Sequence, residues 1–135
     1  MPNRPSSRLV LGALFILASA ATLSAQASDW AAPARAAKRA NPVAPSAQTM
    51  AAGKAVYLKS CASCHGQSGD GNGPKAKDLD KHPESFLKGF SGQSDGALFW
   101  KITEGKKPMP SFETDLSPTQ VWQVVTYIRA FAKGK

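Results

Sequence analysis

The run Cys61-Ala62-Ser63-Cys64-His65 limits what this chain can become more than any other feature. Two cysteines three apart share one turn of a helix, and a histidine follows the second directly. Several chemistries use such a pair. A thioredoxin-like dithiol sits beside a β-α-β pattern, which this chain lacks. A closed zinc site needs four ligands, and only the distant His82 is left to join Cys61, Cys64 and His65. A Cys61–Cys64 disulfide is a further alternative. The adjoining histidine favours another reading, because C-x-x-C-H is the attachment pattern of haem c. Both sulfurs then reach the two vinyl groups of one porphyrin as thioethers, and His65 faces the iron as its proximal ligand.

The patterning around the motif predicts an all-α fold of three main helices and long loops wrapped around one haem. At 135 residues the chain suits a single domain. Met50, Gly53, Val56 and Tyr57 recur at helical spacing and predict a first helix from Ser46 or Thr49 to about Ser60. Ser94 or Asp95 caps a second through Leu98, Phe99 and Ile102, stopped by Gly105. Ser117-Pro118-Thr119-Gln120 spells a capping box with proline at the first helical position, and Val121, Val124, Val125, Ile128 and Phe131 follow along one face. A short helical turn falls near Pro83 to Lys88. No stretch alternates with period two between hairpin turns. The loops from Gly66 to Pro74 and from Gly105 to Phe112 suit wrapping a bulky group. A domain this small and loop-rich gains apolar mass from a haem, and a cavity between the two loop-bearing segments is its expected trace.

Ahead of the domain, residues 1–27 read as a signal peptide: Arg4 and Arg8, the apolar run Leu9 to Leu23, and Ala25-Gln26-Ala27 as the cleavage site. An uncleaved membrane anchor is the competing reading, although a span needs about 20 apolar residues and Gly12, Ser19 and Thr22 interrupt this run. Residues 28–45, rich in alanine and proline without an apolar period, predict a flexible tether, and 46–135 the haem domain. Seventeen Lys and Arg stand against nine Asp and Glu; losing Arg4 and Arg8 with the leader leaves 15 against 9, a formal +6. Export and the lack of aromatic-basic interleaving argue against nucleic acid. An acidic protein partner is the expectation, with membrane contact left to the tether or an uncleaved leader.

Over residues 50–132 the chain resembles the class I cytochromes c, most closely their small monohaem bacterial periplasmic type. Gly53, Tyr57, Cys61, Cys64, His65, Gly66, the glycine loop to Pro74, Met109-Pro110 and the final aromatic helix stand in that family's order. The resemblance implies that the first and last helices cross at Gly53 and Tyr127, with Trp122 as the other aromatic candidate. It implies Met109 as the second axial ligand, held between Pro108 and Pro110, over Met50 and His82. It also implies that the Pro74 carbonyl accepts the free ring N–H of His65, fixing the imidazole.

With His65 and Met109 both on the iron, no position is open for a substrate. The expectation is a periplasmic electron carrier, with no catalytic residues and no small-molecule substrate. The alternative is an electron-accepting haem subunit of a multi-subunit oxidoreductase. A dihaem peroxidase of this family would show a second C-x-x-C-H. Lys75, Lys77, Lys106 and Lys107, beside the ligand segments, are the candidates for steering acidic redox partners.

Overall fold

The computed structural model describes residues 29–90 and 92–132; the leader expectation falls outside them. The described helices are α1 (Ala34–Ala37), α2 (Ala47–Ser60), α3 (Ala62–His65), α4 (Asp95–Glu104) and α5 (Pro118–Phe131), with 3-10 turns at Ala76–Asp78 and Phe86–Lys88. No strand occurs among the described residues, and none of their helices is long and apolar enough to cross a membrane.

Local chemistry starts each long helix where the sequence places it. Ser46 Oγ accepts the Thr49 N–H at 3.0 Å to open α2, and Ser94 Oγ accepts that of Ala97 at 3.1 Å to open α4. At α5, Ser117 Oγ accepts from Gln120 N while Gln120 Oε1 accepts from Ser117 N, the reciprocal box that satisfies two orphan donors. Gly105, at φ +67°, ends α4 in a backbone region that side chains avoid.

The core forms where α2 and α4 meet α5. Tyr57, Leu98, Phe99, Ile102, Trp122, Val124 and Val125 are buried in one cluster. Each fully buried valine contributes roughly 1.5–3 kcal/mol. At the α2–α5 crossing a side chain on Gly53 would run into the Gln123 carbonyl and lie 2.8 Å from Tyr127 Cβ. Glycine is therefore required by a neighbouring backbone. Tyr127 is the aromatic at this crossing, its ring 5.4 Å from that of Tyr57, whereas Trp122 packs on Phe99 at 4.2 Å.

The segment expected to be a flexible tether is instead packed on the domain. Arg39 places its guanidinium carbon 4.5 Å from the Phe99 ring centroid and 5.3 Å from that of Trp122. Asn41 donates through Nδ2 to the Trp122 carbonyl and to Thr126 Oγ1, and Ser94 Oγ donates to the Ala37 carbonyl. Gly96 lets this segment lie against α4, since a Cβ there would meet the backbone of Ala36 and Arg39. Cation–π and side-chain-to-backbone contacts hold the segment, and neither leaves an apolar period in the sequence.

Candidate functional site

The attachment motif lies where α2 passes into α3. Cys61 closes α2, its N–H donating to the Tyr57 carbonyl at 2.8 Å, and also begins α3, its carbonyl accepting from His65 N at 3.0 Å. One tight turn thus carries both thiols and the imidazole. Helix ends leave carbonyls without partners, and the glycine loop returns to satisfy them: Lys75 N donates to Ser63 O, Gly73 N to Cys64 O and Gly71 N to His65 O, at 2.8, 3.0 and 2.8 Å. A Cβ on Gly73 would collide with the Ser63 and Ala62 carbonyls, so this return requires glycine. Tyr57, fully buried, ties down the far side by donating its hydroxyl to the Gly66 carbonyl at 2.6 Å.

Both cysteines are free thiols, which removes the disulfide alternative for this structure. Burial, reinforced by Cys64 alongside, pushes the Cys61 thiol up to about 12. Exchange chemistry of the thioredoxin kind needs a thiolate at neutral pH, and Cys61 is a poor source of one. Among the described residues no three His, Cys, Asp or Glu side chains gather as a metal cluster, so the closed zinc reading lacks its ligand set.

His65 is half-buried, and desolvation holds its imidazole below the usual histidine range. It is therefore neutral near pH 7, the form that ligates a metal. The ring stacks on Phe86, centroids 4.7 Å apart and planes inclined by 16°. Phe86 continues into Phe90 at 5.1 Å, while Tyr57 and Phe131 pack at 5.2 Å. This aromatic wall escaped the sequence reading, because Phe86 lies in a short 3-10 turn with no periodic pattern to mark it. His65 Nδ1 is buried without a hydrogen-bond partner. The bond expected from it to the Pro74 carbonyl is thus not made here: Pro74 is exposed, the ring is held by Phe86, and the loop is fastened through the neighbouring N–H groups of Gly73 and Lys75.

Met109 is half-buried in the loop between α4 and α5 and packs against the same buried cluster as Cys61. Its backbone forms an isolated antiparallel bridge with Lys106, Lys106 N to Met109 O at 3.0 Å and Met109 N to Lys106 O at 2.9 Å. Phe112 N then donates to the Ile102 and Thr103 carbonyls, stitching the loop to the end of α4. Met50 is half-buried on α2, and His82 is exposed with its Nδ1 3.2 Å from the Pro83 carbonyl. All four steering candidates are exposed, and Lys106 among them is paired to Asp29 at 2.8 Å.

A cavity of about 490 Å³ opens between the last turns of α2, at Val56, Lys59 and Ser60, and the segment after Met109, at Phe112 and Leu116. It adjoins the motif only at Ser60. Its lining does not include Cys61, Cys64, His65 or Met109, so it is not the cavity expected between the segments that carry them. The donor set fits a covalent haem. Two free thiols can form thioethers, and an imidazole that desolvation keeps neutral is held beside them.

Fold and site together define a class I c-type cytochrome, and the chain belongs to the family described as cytochrome C oxidase, cbb3-type, subunit III, whose model matches residues 48–128. Similar curated proteins include cytochrome c6 of Limnospira maxima, 36% identical over 80 residues that cover 58% of this chain and 89% of that protein. Cytochrome c6 of Rippkaea orientalis is 36% identical over 84 residues, covering 62% of this chain and 72% of the relative. Among solved structures, the Kuenenia stuttgartiensis reducing HAO-like protein complex Kustc0457/Kustc0458 aligns with a TM-score of 0.61 at 31% identity over 67% of this chain. The match spans less than half, 46%, of that structure's chain. The KustC0563 c-type cytochrome aligns at 0.51 and 29% identity, covering 58% of this chain and 95% of its own.

Proposed function

We propose that this cytochrome is a monohaem electron carrier of the periplasm, exported by its leader, with Cys61 and Cys64 as thioether links and His65 and Met109 as axial ligands. The observation that carries the reading is the pairing of one C-x-x-C-H turn, bearing a neutral His65, with one thioether sulfur half-buried in a loop fastened to α4. The haem, when bound, supplies reversible one-electron exchange. Cys61 and Cys64 would hold the group covalently, His65 and Met109 would ligate its iron and leave no position for a substrate, and methionine paired with histidine would raise the reduction potential. The cytochrome c6 relatives support a carrier over an enzyme. Exposed Lys75, Lys77 and Lys107 suit a partner with an acidic docking face, and attraction of that kind weakens with salt.

The likeness to a chain of the reducing HAO-like complex favours one second reading, an electron-accepting haem subunit of a larger oxidoreductase. The two readings share the same ligation and differ in whether the exported protein purifies alone or with partners.

The test is spectroscopic. Purified exported protein should carry the mass of one added haem, give a six-coordinate low-spin spectrum when reduced, and resist carbon monoxide at neutral pH. Met109→Ala should turn high-spin and bind carbon monoxide. A wild-type protein that is five-coordinate or takes up carbon monoxide rapidly would refute the ligation. A mature chain without haem mass would refute the whole reading.

A further inference from the structure

The packed N-terminal segment reaches the loop that bears Met109. Its middle is anchored on the core by Arg39, over Phe99 and Trp122, and by Asn41, bonded to Trp122 O and Thr126 Oγ1. Its leading end folds along α4, where Trp30 lies under the Lys101 ammonium at 5.1 Å. Asp29 then meets Lys106: Oδ2 accepts from Nζ at 2.8 Å, and the Asp29 carbonyl accepts from the same nitrogen at 3.0 Å. Lys106 in turn is the residue whose backbone pairs with Met109 in both directions. A continuous set of contacts therefore runs from the core, through the strap, to the backbone partner of the methionine.

We infer that residues 29–41 form a strap that positions Met109, with Asp29 as the positioning residue at its tip and Arg39 as its anchor. The inference rests on the reading of Met109 as an axial ligand. A loop restrained at Lys106 returns its sulfur to the iron more readily than a free one, so the strap lowers the fraction of molecules in which that position is open. An external ligand binds in proportion to this open fraction. The ion pair is exposed, so its own share is small and salt-sensitive.

Imidazole binding to the oxidised, haem-loaded exported protein reads the open fraction directly from the spectrum. Asp29→Asn should bind imidazole about 1.5- to 5-fold more tightly than wild type, the range expected for one exposed ion pair. Arg39→Ala, remote from the loop, should shift affinity in the same direction. The double variant should add little to Arg39→Ala alone, because a released strap no longer presents Asp29. High salt should bring wild type toward Asp29→Asn and leave that variant unchanged. Met109→Ala is the reference. If it binds imidazole far more tightly than wild type while Asp29→Asn and Arg39→Ala match wild type, the strap has no positioning role and the ligand assignment stands. If Met109→Ala binds no more tightly than wild type, the ligand assignment fails and the strap proposal falls with it.

Discussion

Replacing Gly53 with alanine sets two physical effects of opposite sign against each other. By helix propensity alone, alanine in the middle of α2 should stabilise the protein by about 1 kcal/mol. The structure opposes this. The new methyl would lie 2.8 Å from Tyr127 Cβ and 2.9 Å from the Gln123 carbonyl carbon, where carbon atoms rest at about 3.5–4.0 Å. Relief requires α2 and α5 to part by roughly 1 Å, since the obstacle is helix backbone and not the end of a flexible side chain. Overpacking of this kind costs about 1–3 kcal/mol, and a backbone obstacle places it near the upper end. Offsetting the propensity gain leaves a net loss of about 2 kcal/mol. For a domain of this size that lowers Tm by roughly 8–16 °C. Thermal unfolding of the haem-loaded protein, followed by far-ultraviolet circular dichroism and by haem absorbance, measures it. Ala51→Gly, exposed on the same helix, calibrates propensity and should lose about 1 kcal/mol. A Gly53→Ala protein with unchanged or higher Tm would refute the close crossing.

Two further outcomes follow from the same geometry. Tyr57→Phe removes the hydroxyl donor from the buried Gly66 carbonyl, which keeps the Gly69 N–H at 3.2 Å, and should cost about 1 kcal/mol near pH 7. Burial raises the Tyr57 phenol above its ordinary value, so the folded state favours the neutral form. That contribution is whole below the unfolded pKa of about 10 and is lost as pH rises through the higher folded value. Tyr57→Phe should therefore lose stability less steeply above pH 10, and an identical alkaline profile would count against the assignment. In haem-free protein, a Cys61 thiol pushed up to about 12 should alkylate roughly a thousandfold more slowly at pH 8 than an unhindered cysteine near 8.5. Mass spectrometry of timed reactions checks this, and rapid modification of Cys61 would show that the site is open.

What could be read from residue order was local. Ser46, Ser94 and Ser117 announce helix starts because a cap is satisfied within three residues, and Gly105 announces a stop because its conformation is its own. The C-x-x-C-H run is legible for the same reason, since one helical turn is enough to bring its groups together. Long-range contacts escaped the reading. An alanine- and proline-rich stretch looks unstructured until Arg39 finds Phe99 and Trp122, sixty and eighty-three residues away. Phe86 is one phenylalanine among several until its ring lies parallel to His65.

The sequence by itself determined the cofactor chemistry and the all-α class: covalent attachment depends on groups three and four residues apart, and helix identity on caps and periodicity. Only the tertiary structure decided that Tyr127 and not Trp122 closes the crossing at Gly53. It also showed His65 resting on Phe86 in place of a bond to Pro74, and the N-terminal segment reaching the Met109 loop through Asp29 and Lys106. Each of these depends on which surfaces meet once the helices have packed, and that information is spread over residues too distant in the chain to form a pattern.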